Sequence, residues 1–407
     1  MSVQDQIRDL PLRHDGGRLG PRLDLDALIG DERLLAYRFP NGVTGFLTTN
    51  AADFKAILSD PRFHAKRFLG EPQMAIMPVD VPDMPGFIPS MNGPEHLRVR
   101  RLAAGDFTVK RVEALQPMID GVVTKYLDQV AAHGSPADLY EMYCLQIPSE
   151  VIALILGVPH THAEDFQNAA RLTIGGLPDA MADPEAPAKA VARLHEIVKE
   201  VIAIKRETPG DDVITRLSQT DNPPLSDTEI AGLCTNLLLA GHETTATTGA
   251  LAVATLLTQR DQYRTFKDHP ERLPDFVDEL VRFAFIIQDA GAGIPRLAVE
   301  DVNFHGVHIR AGDWVMPTTI AANIDPSVCP YAAPEQIDLN RDPIQHLTFG
   351  FGAHTCLGQH LARAELRSIL SMLFARFPTL ELVTPVDEMP WLESGFGYRM
   401  AELNVAW

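Results

Sequence analysis

A cysteine in a glycine-rich loop, followed at once by a helix pattern, is the feature that most restricts how this chain folds. The stretch runs from His346 to Leu366 and contains Cys356. A cysteine at a helix N-terminus faces oriented N–H groups and the positive end of the helix dipole, and both favour the thiolate. No proline interrupts the predicted helix before Pro378, and its apolar face recurs at helical spacing. That face consists of Leu357, Leu361, Ala364, Leu366 and Leu370.

Three glycines of this loop leave the backbone around the sulfur without side chains, so a flat, bulky partner can approach closely. They are Gly350, Gly352 and Gly358. From the loop alone, a thiolate bound to such a partner and a buried structural cysteine are both open interpretations. The loop lacks the last glycine of a dinucleotide fingerprint, which disfavours a phosphate site. A zinc site is disfavoured because the cysteines form no CxxC pair. The cysteines are Cys144, Cys234, Cys329 and Cys356.

The pattern Phe349-x-x-Gly352-x-x-x-Cys356-x-Gly358 resembles the haem-binding signature of the cytochrome P450 monooxygenases of soluble, bacterial type. The resemblance implies that Cys356 is the thiolate ligand to the iron of haem b, iron protoporphyrin IX. Phe349, Gly352 and Gly358 are then part of the cofactor-binding loop. The implied fold is mainly α, one large P450-type domain with small β-sheets. In that fold, haem lies between a long central helix and the Cys-ligand loop.

The resemblance covers essentially the whole chain of 407 residues. Near its start, the strand-like runs Leu34–Arg38 and Val43–Leu47 flank Asn41-Gly42, which predicts a hairpin. We therefore expect a single domain with three recognisable parts. The domain is 1–407, its β-rich edge about 30–60, its helical body about 95–285 and its haem-ligand loop 346–358.

Composition sets the class of protein. Hydrophobic residues make up 45% and charged residues 22% of the chain, as in ordinary globular proteins. A formal net charge of −19 argues against nucleic acid as a partner. The N-terminus lacks the core of a signal peptide, and no apolar stretch approaches the roughly 18 residues that span a bilayer. Four scattered cysteines give no disulfide framework. We expect a cytoplasmic monomer without a membrane anchor.

A second landmark is a helix of about 30 residues that begins after the capping box Ser226–Glu229 and meets no proline before Pro270. A mid-helix glycine, Gly241, costs about 1 kcal/mol against alanine. Thr244 can hydrogen-bond back to the carbonyl of Ala240. The pair His242-Glu243 is not part of a zinc-protease motif, because position 246 is alanine. From the residues alone, a plain threonine-rich helix stays open.

The same turn, Ala240-Gly-His-Glu-Thr244, resembles the oxygen-handling element of the P450 family. The resemblance implies catalytic roles for four of its residues. Ala240 and Gly241 leave room for O2, Thr244 holds the oxygen with a water, and Glu243 relays protons from solvent.

Four further residues resemble the family's contacts to the haem propionates. His96 and Arg100 are four residues apart and share a helical face, and such side chains are suited to carboxylates. Arg296 and His346 match two other propionate-binding positions. The pair Glu279-x-x-Arg282 resembles the family's structural Glu-x-x-Arg element. An exposed pair of this kind contributes only a few tenths of a kcal/mol, roughly.

A local basic patch on this acidic protein is the basis for predicting where an electron donor docks. The alternative is that the patch is only a solvated helix face. The patch consists of Arg98, Arg101, Lys110 and Arg111. The resemblance implies that a ferredoxin-type donor docks there, on the proximal face. The chain shows no reductase domain, so electrons from NAD(P)H are expected through separate redox partners.

A long apolar stretch rich in proline, residues 62–95, is unusual for a surface loop and predicts a roof over a substrate pocket. The glycine-rich segment 286–296 departs from the family and leaves the substrate class open. The expected pocket residues are Phe87, Ile88, Ile287, Gln288 and Phe396.

These features predict a monooxygenase that inserts one oxygen atom from O2 into a mostly apolar small molecule, in secondary metabolism. Oxidative coupling, epoxidation and desaturation are alternatives within the enzyme class. A haem-binding sensor or carrier without turnover is the alternative outside it.

Overall fold

The computed structural model describes residues 7–9, 19, 33–38, 44–65, 84–173, 183, 185–220, 224–288, 295–394 and 397–407. The chain forms two compact units. Unit 1 comprises Met1–Met77, Thr258–Cys356 and Gly395–Arg399, and unit 2 comprises Pro78–Leu257, Leu357–Ser394 and Met400–Trp407. Within the described residues, no helix has both the length and the apolar character needed to cross a membrane.

Helices dominate the described chain, as predicted. They are α1 Ala51–Ser59, α2 Gly93–Ala104, α3 Val109–His133, α4 Gln146–Leu156, α5 His160–Leu172, α6 Ala186–Glu207, α7 Val213–Ser218, α8 Asp227–Thr258, α9 Arg260–Asp268, α10 Leu273–Gln288, α11 Thr319–Ile324 and α12 Gln359–Arg376. A π-helical turn, Tyr140–Cys144, precedes α4.

The strands are short. They are β1 Arg8–Asp9, β2 Leu34–Arg38, β3 Thr44–Thr48, β4 Phe63–Ala65, β5 Ala137–Asp138, β6 Arg296–Ala298, β7 Val302–Phe304, β8 Val307–Ile309, β9 Trp314–Met316, β10 Glu381–Leu382, β11 Trp391–Ser394, β12 Gly397–Met400 and β13 Asn404–Ala406.

Unit 1 is built on a six-stranded sheet of order β1-β2-β3-β9-β6-β4. Strands β2 and β3 pair antiparallel, with Leu35 opposite Leu47, which confirms the predicted hairpin strands. The turn at Asn41-Gly42 lies outside the described residues. An apolar cluster that includes Phe46, Phe63 and Val315 holds the sheet to the β7–β8 hairpin.

Helix α1 of unit 1 is fixed at its N-terminus by a side-chain cap, because Asn50 accepts a hydrogen bond from the backbone N–H of Asp53. Phe54 and Leu58 on its buried face pack with Ala322 of α11 and with Leu347. Helices α1 and α11 therefore support the segment that leads into the cysteine loop.

Unit 2 is organised around α8, which has 32 residues and is about 48 Å long at 1.5 Å per residue. The predicted capping box is present: Glu229 N–H donates to Ser226 Oγ at 3.2 Å, and Ser226 N–H donates to Glu229 Oε2 at 2.8 Å. Both halves of α8 are buried, which explains why it has no polar face. The buried runs are Ile230–Leu238 and Thr245–Leu257.

Helix α12 begins at Gln359, three residues after Cys356. It packs on α3, where Ser368 Oγ donates to Asp120 Oδ1 at 2.7 Å. Leu361, Ala364, Leu366 and Leu370 are buried. The predicted apolar face is therefore confirmed except at Leu357, which is partly exposed.

Candidate functional site

The loop that carries Cys356 folds so that this cysteine is exposed, while the other three cysteines are buried. The backbone N–H of Cys356 donates to the carbonyl of Phe349 at 2.8 Å. Gly350 and Gly352 have φ of +76° and +73°, a region that side-chain-bearing residues rarely adopt. A Cβ on Gly352 would also lie 3.0 Å from the carbonyl oxygen of Leu58. These two glycines are required by the loop itself.

The third predicted glycine is different. Gly358 has an ordinary φ of −85° as the residue before α12. A Cβ built on it meets no described atom within 4 Å. The backbone conformation does not demand glycine there, and glycine is in any case a favoured residue at a helix N-cap.

Asn323 was not predicted as a site residue, yet it fixes the start of the cysteine loop. Its side chain is fully buried. Oδ1 accepts the N–H of Leu347 at 2.6 Å, and Nδ2 donates to Thr348 Oγ1 at 2.9 Å. The signal in the sequence was a lone amide among apolar neighbours on a short helix, Ala321, Ala322 and Ile324.

His346 and Arg296 place two nitrogen-rich side chains inside unit 1. The side chain of His346 is 2% exposed, and its Nε2 lies 3.6 Å from Asp278 Oδ1. Its Nδ1 accepts the N–H of Thr348 at 3.3 Å, so the ring proton belongs on Nε2. Nε2 has no hydrogen-bond partner among the described residues. Arg296 is 2% exposed and donates through Nη1 to the carbonyl of Pro295 at 3.0 Å.

Unit 2 holds the other predicted pair on α2. His96 is 1% exposed, and Arg100 is partly buried one turn later. Both lie on one helical face, as their spacing predicted. A buried histidine beside an arginine is suited to an anionic ligand such as a carboxylate.

The turn Ala240–Thr244 interrupts the burial of α8. Ala240 is exposed and Gly241 is partly exposed, and a Cβ on Gly241 meets nothing within 4 Å. Thr244 Oγ1 donates to the carbonyl of Ala240 at 2.7 Å, which is the predicted back-bond. Thr248 repeats it one turn later, donating to the carbonyl of Thr244 at 2.7 Å. Glu243 is 5% exposed. The turn thus presents open space beside a hydroxyl.

The pair Glu279–Arg282 forms as predicted but is far more buried than an isolated helical pair. Arg282 is fully buried and Glu279 is 10% exposed. Their contact is bidentate, with distances of 2.7 and 2.8 Å. Arg282 also donates to the carbonyl of Pro334 at 2.5 Å, and Arg341 donates to Glu279 at 3.1 Å. This network ties α10 to the irregular segment around residues 332–341.

Two of the four basic side chains expected to meet an electron donor are engaged within unit 2. Arg98 pairs with Glu95 and with Glu229, and hydrogen bonds to both carboxylates raise the pKa of Arg98. Arg111 pairs with Asp211 at 2.7 Å. Sequence spacing alone did not reveal these partners.

Arg101 and Lys110 are exposed. Neither forms an ion pair with another described residue. The basic patch therefore carries two uncompensated charges rather than four.

Only some of the predicted pocket residues lie among the described residues. Phe87 and Ile88 are buried, at 3% and 5% exposure, around the 3₁₀ turn Ile88–Ser90. Ile287 and Gln288 end α10, and their side chains lie outside the described residues. Phe396 and most of the apolar stretch before Met84 also lie outside them.

The residues present fit an iron porphyrin by their chemistry. Unit 1 offers one exposed thiol, that of Cys356. It also offers a buried imidazole whose Nε2 has no described hydrogen-bond partner. Unit 2 offers a buried histidine, an arginine and a gap in a buried helix. A single thiolate, hydrogen-bond donors for two propionates and a small open space are what haem-thiolate chemistry needs.

Comparison with known proteins agrees with this chemistry. The family model for cytochrome P450 matches residues 269–402. The nocardicin C N-oxygenase of Nocardia uniformis subsp. tsuyamanensis is 37% identical over 385 residues, covering 93% of this chain and 94% of that protein. The mycinamicin IV hydroxylase/epoxidase of Micromonospora griseorubida is 37% identical, covering 91% of each.

A crystal structure of CYP105P1 in complex with filipin I superposes with a TM-score of 0.87 at 31% identity, covering 99% of each chain. This likeness confirms the predicted mainly α fold with small sheets. The relatives are oxygenases and hydroxylases of bacterial origin, and their family binds haem iron. The chain therefore belongs to the cytochrome P450 family and is a P450 monooxygenase of the actinobacterial type.

Proposed function

We propose that Cys356 is the thiolate ligand of the haem iron. We propose further that the protein inserts one oxygen atom from O2 into a mostly apolar small molecule of secondary metabolism. The observation that carries this is the exposed Cys356 on a loop whose backbone is fixed by Phe349 and two left-handed glycines. When bound, haem with an axial thiolate supplies the electron donation that favours cleavage of the O–O bond.

Each unit, taken by itself, offers side chains of the kind that bind a propionate: two in unit 2 and two in unit 1. These are His96, Arg100, Arg296 and His346. Arginine offers two parallel N–H groups to a carboxylate, and histidine adds one more donor. His346 carries its proton on Nε2, because Nδ1 accepts the N–H of Thr348, so it donates through that atom.

Thr244 and Glu243 would manage protons. Thr244 Oγ1 donates its hydrogen to the carbonyl of Ala240 at 2.7 Å, so its lone pairs face outward as acceptors. A water held on Oγ1 can then pass a proton onward. Glu243 is buried one residue earlier and would resupply that proton from solvent. Ala240 and Gly241 carry no side chain larger than a methyl group, which would leave room for O2.

Electrons would come from NAD(P)H through a reductase and an acidic ferredoxin. The exposed charges of Arg101 and Lys110 support docking of such a partner. Arg98 and Arg111 belong to internal ion pairs, so they contribute less to docking than their sequence positions indicated.

The proposal of a mostly apolar substrate is supported by the buried apolar residues Phe87 and Ile88. Epoxidation is the second candidate reaction, because one relative is named both hydroxylase and epoxidase. Another relative is named for oxygenation at nitrogen. The names of these two relatives support oxygenation at more than one kind of atom.

The test is the spectrum of the reduced protein with carbon monoxide. We expect a thiolate-type Soret band in the wild type, its loss in Cys356→Ser, and its retention in Cys329→Ala. Cys329 is a suitable control because it is a buried cysteine of the same unit. A wild type without that band, or a Cys356→Ser variant that keeps it, would contradict the proposal. NAD(P)H consumption with a surrogate ferredoxin and reductase then separates an enzyme from a haem-binding sensor.

A further inference from the structure

The imidazole of His242 hydrogen-bonds to the backbone of a neighbouring element of unit 2, on the side of α8 opposite Ala240 and Thr244. Nε2 of His242 lies 3.1 Å from the carbonyl oxygen of Leu145. His242 is 3% exposed and Leu145 is 1% exposed. Because a carbonyl only accepts hydrogen bonds, the imidazole proton must be on Nε2.

The carbonyl of Leu145, which accepts this hydrogen bond, lies at an irregular junction between two helical segments. Leu145 follows the π-helical turn Tyr140–Cys144 and precedes α4. Its own N–H donates to the carbonyl of Tyr140 at 2.9 Å, five residues back. Single π turns within helices are found often at functional sites. The hydrogen bond therefore joins the centre of α8 to a defined point on the neighbouring helix.

His242 is two residues from both Ala240 and Thr244, which places it about 200° around the helix from each. Ala246, one turn later on the side of His242, packs against Leu145. The turn thus has an open face carrying the Thr244 hydroxyl and a packed face fastened by His242. Gly241 and two hydrogen bonds from threonine side chains to backbone carbonyls weaken the helix there. The hydrogen bond of His242 therefore stabilises a weakened part of α8.

We infer that His242 is a positioning residue, which holds the Ala240–Thr244 turn against Leu145 and thereby sets where the Thr244 hydroxyl lies. This inference rests on the proposed role of Thr244. Burial lowers the pKa of His242 to about 4, although the hydrogen bond with Leu145 acts in the opposite direction. The imidazole stays neutral throughout the physiological range, as a permanent donor rather than a proton carrier.

The decisive variants are His242→Phe, which keeps the ring volume without a donor, and His242→Gln, whose amide N–H can reach the same carbonyl. The matched control is Thr235→Val. Thr235 lies two turns earlier on the same face of α8, is 1% exposed, and its hydroxyl has no described hydrogen-bond partner. Thr235→Val therefore removes a buried polar atom without removing a hydrogen bond to a neighbouring element.

Amide hydrogen exchange of the haem-loaded protein is the first measurement. In His242→Phe, exchange of peptides covering residues 240–248 should rise about tenfold, the size expected for one lost buried hydrogen bond. Peptides covering residues 250–257 should not change. His242→Gln should restore most of the protection, and Thr235→Val should match the wild type.

The dissociation constant of 4-phenylimidazole, a ligand for the distal side of haem iron, is the second measurement. This dissociation constant should differ from the wild-type value by at least about threefold in His242→Phe and should be close to the wild-type value in His242→Gln. Neither measurement depends on oxygen chemistry, so failure of this inference is distinct from failure of the proposed function. Unchanged exchange and affinity in a haem-loaded His242→Phe would overturn it. If His242→Phe does not fold, wild-type and His242→Gln proteins that differ in both readouts would overturn it, and matching readouts would support it.

Discussion

The side-chain amide of Asn323 holds the backbone N–H of Leu347 at 2.6 Å and the hydroxyl of Thr348 at 2.9 Å. All three residues lie in unit 1, and Asn323 is fully buried. A residue on a short helix thereby sets the course of the chain as it enters the loop of Cys356. Asn323 lies 33 residues before Cys356 in the sequence, whereas His346 lies 10 residues before it. The position of the proposed iron ligand therefore depends on a residue outside its own loop.

Replacing Asn323 with alanine should weaken this loop. The change removes both hydrogen bonds and leaves a buried N–H and hydroxyl without partners, at about 1–3 kcal/mol for each unsatisfied group. We expect the free energy of unfolding to fall by about 2–4 kcal/mol and haem retention to fall with it. Urea denaturation and the reduced carbon monoxide spectrum measure the two effects. Asn340→Ala, at an exposed position in the same unit, should change neither, and equal losses in both variants would contradict the prediction.

Arg98 should stabilise the fold through its ion pair with Glu229 and should not take part in docking of the electron donor. It joins Glu229, whose carboxylate also caps α8 through Ser226. In a double-mutant cycle of Arg98→Ala and Glu229→Gln, we expect a coupling free energy of about 0.5–1 kcal/mol in stability.

Affinity for a surrogate ferredoxin separates the two roles of the basic residues. Arg101→Ala should weaken that affinity and reduce its dependence on salt, with no effect on stability. Arg98→Ala should lower the stability of the protein and leave its affinity for the ferredoxin nearly unchanged. The prediction is wrong if Arg98→Ala weakens binding as strongly as Arg101→Ala does.

Much of the fold was predictable because its signals are local. The capping box at Ser226 and the absence of proline before Pro270 were enough to place α8, and the spacing of apolar residues placed α12. The back-bond from Thr244 to Ala240 also follows from spacing along one helix. Each of these depends on residues within a few turns of one another.

The rest depends on partners that are distant in sequence. Arg98 meets Glu229 131 residues later, so its engagement could not be read from the basic patch. The structural role of the Glu279–Arg282 pair came only from the resemblance, because its burial depends on the segment around Pro334, which follows 52 residues later. His242 acts through the backbone carbonyl of Leu145, and Asn323 acts in part through the backbone N–H of Leu347. Such backbone partners leave no mark in the residue types of the sequence.

The hydroxyl of Thr244 should be required for productive oxygen use. In Thr244→Val, product formation should fall by about 10²-fold, the low end for a proton-handling group, and peroxide release should rise. Thr244→Ser keeps the hydroxyl and should retain most of the activity. A substrate for the assay comes from a compound screen for the spectral shift that ligands cause in the haem band.

Thr248→Val is the matched control for this change. Thr248 makes the same kind of back-bond, to the carbonyl of Thr244 at 2.7 Å, but one turn further along α8. Its replacement should leave the ratio of product to peroxide nearly unchanged. If both valine variants lose product equally, the effect comes from the helix and not from the Thr244 hydroxyl.

A buried carboxyl on α12 should make stability depend on pH. Glu365 is 3% exposed, and its Oε2 has no hydrogen-bond partner among the described residues. Burial raises the pKa of Glu365 from 4.5 to about 8. Between these values the unfolded chain has released the proton while the folded protein keeps it. The free energy of unfolding therefore falls as pH rises, by at most about 1.4 kcal/mol per pH unit.

Glu365→Gln removes this titration while keeping the shape of the side chain. Its stability relative to the wild type should increase steadily from about pH 5 to about pH 8 and stay constant above that, because Glu365 is then ionised in both states. Urea denaturation at intervals of one pH unit measures the difference. Glu381→Gln, at an exposed position of the same unit, should show no such trend. A difference between Glu365→Gln and the wild type that does not vary with pH would mean that Glu365 is ionised in the folded protein.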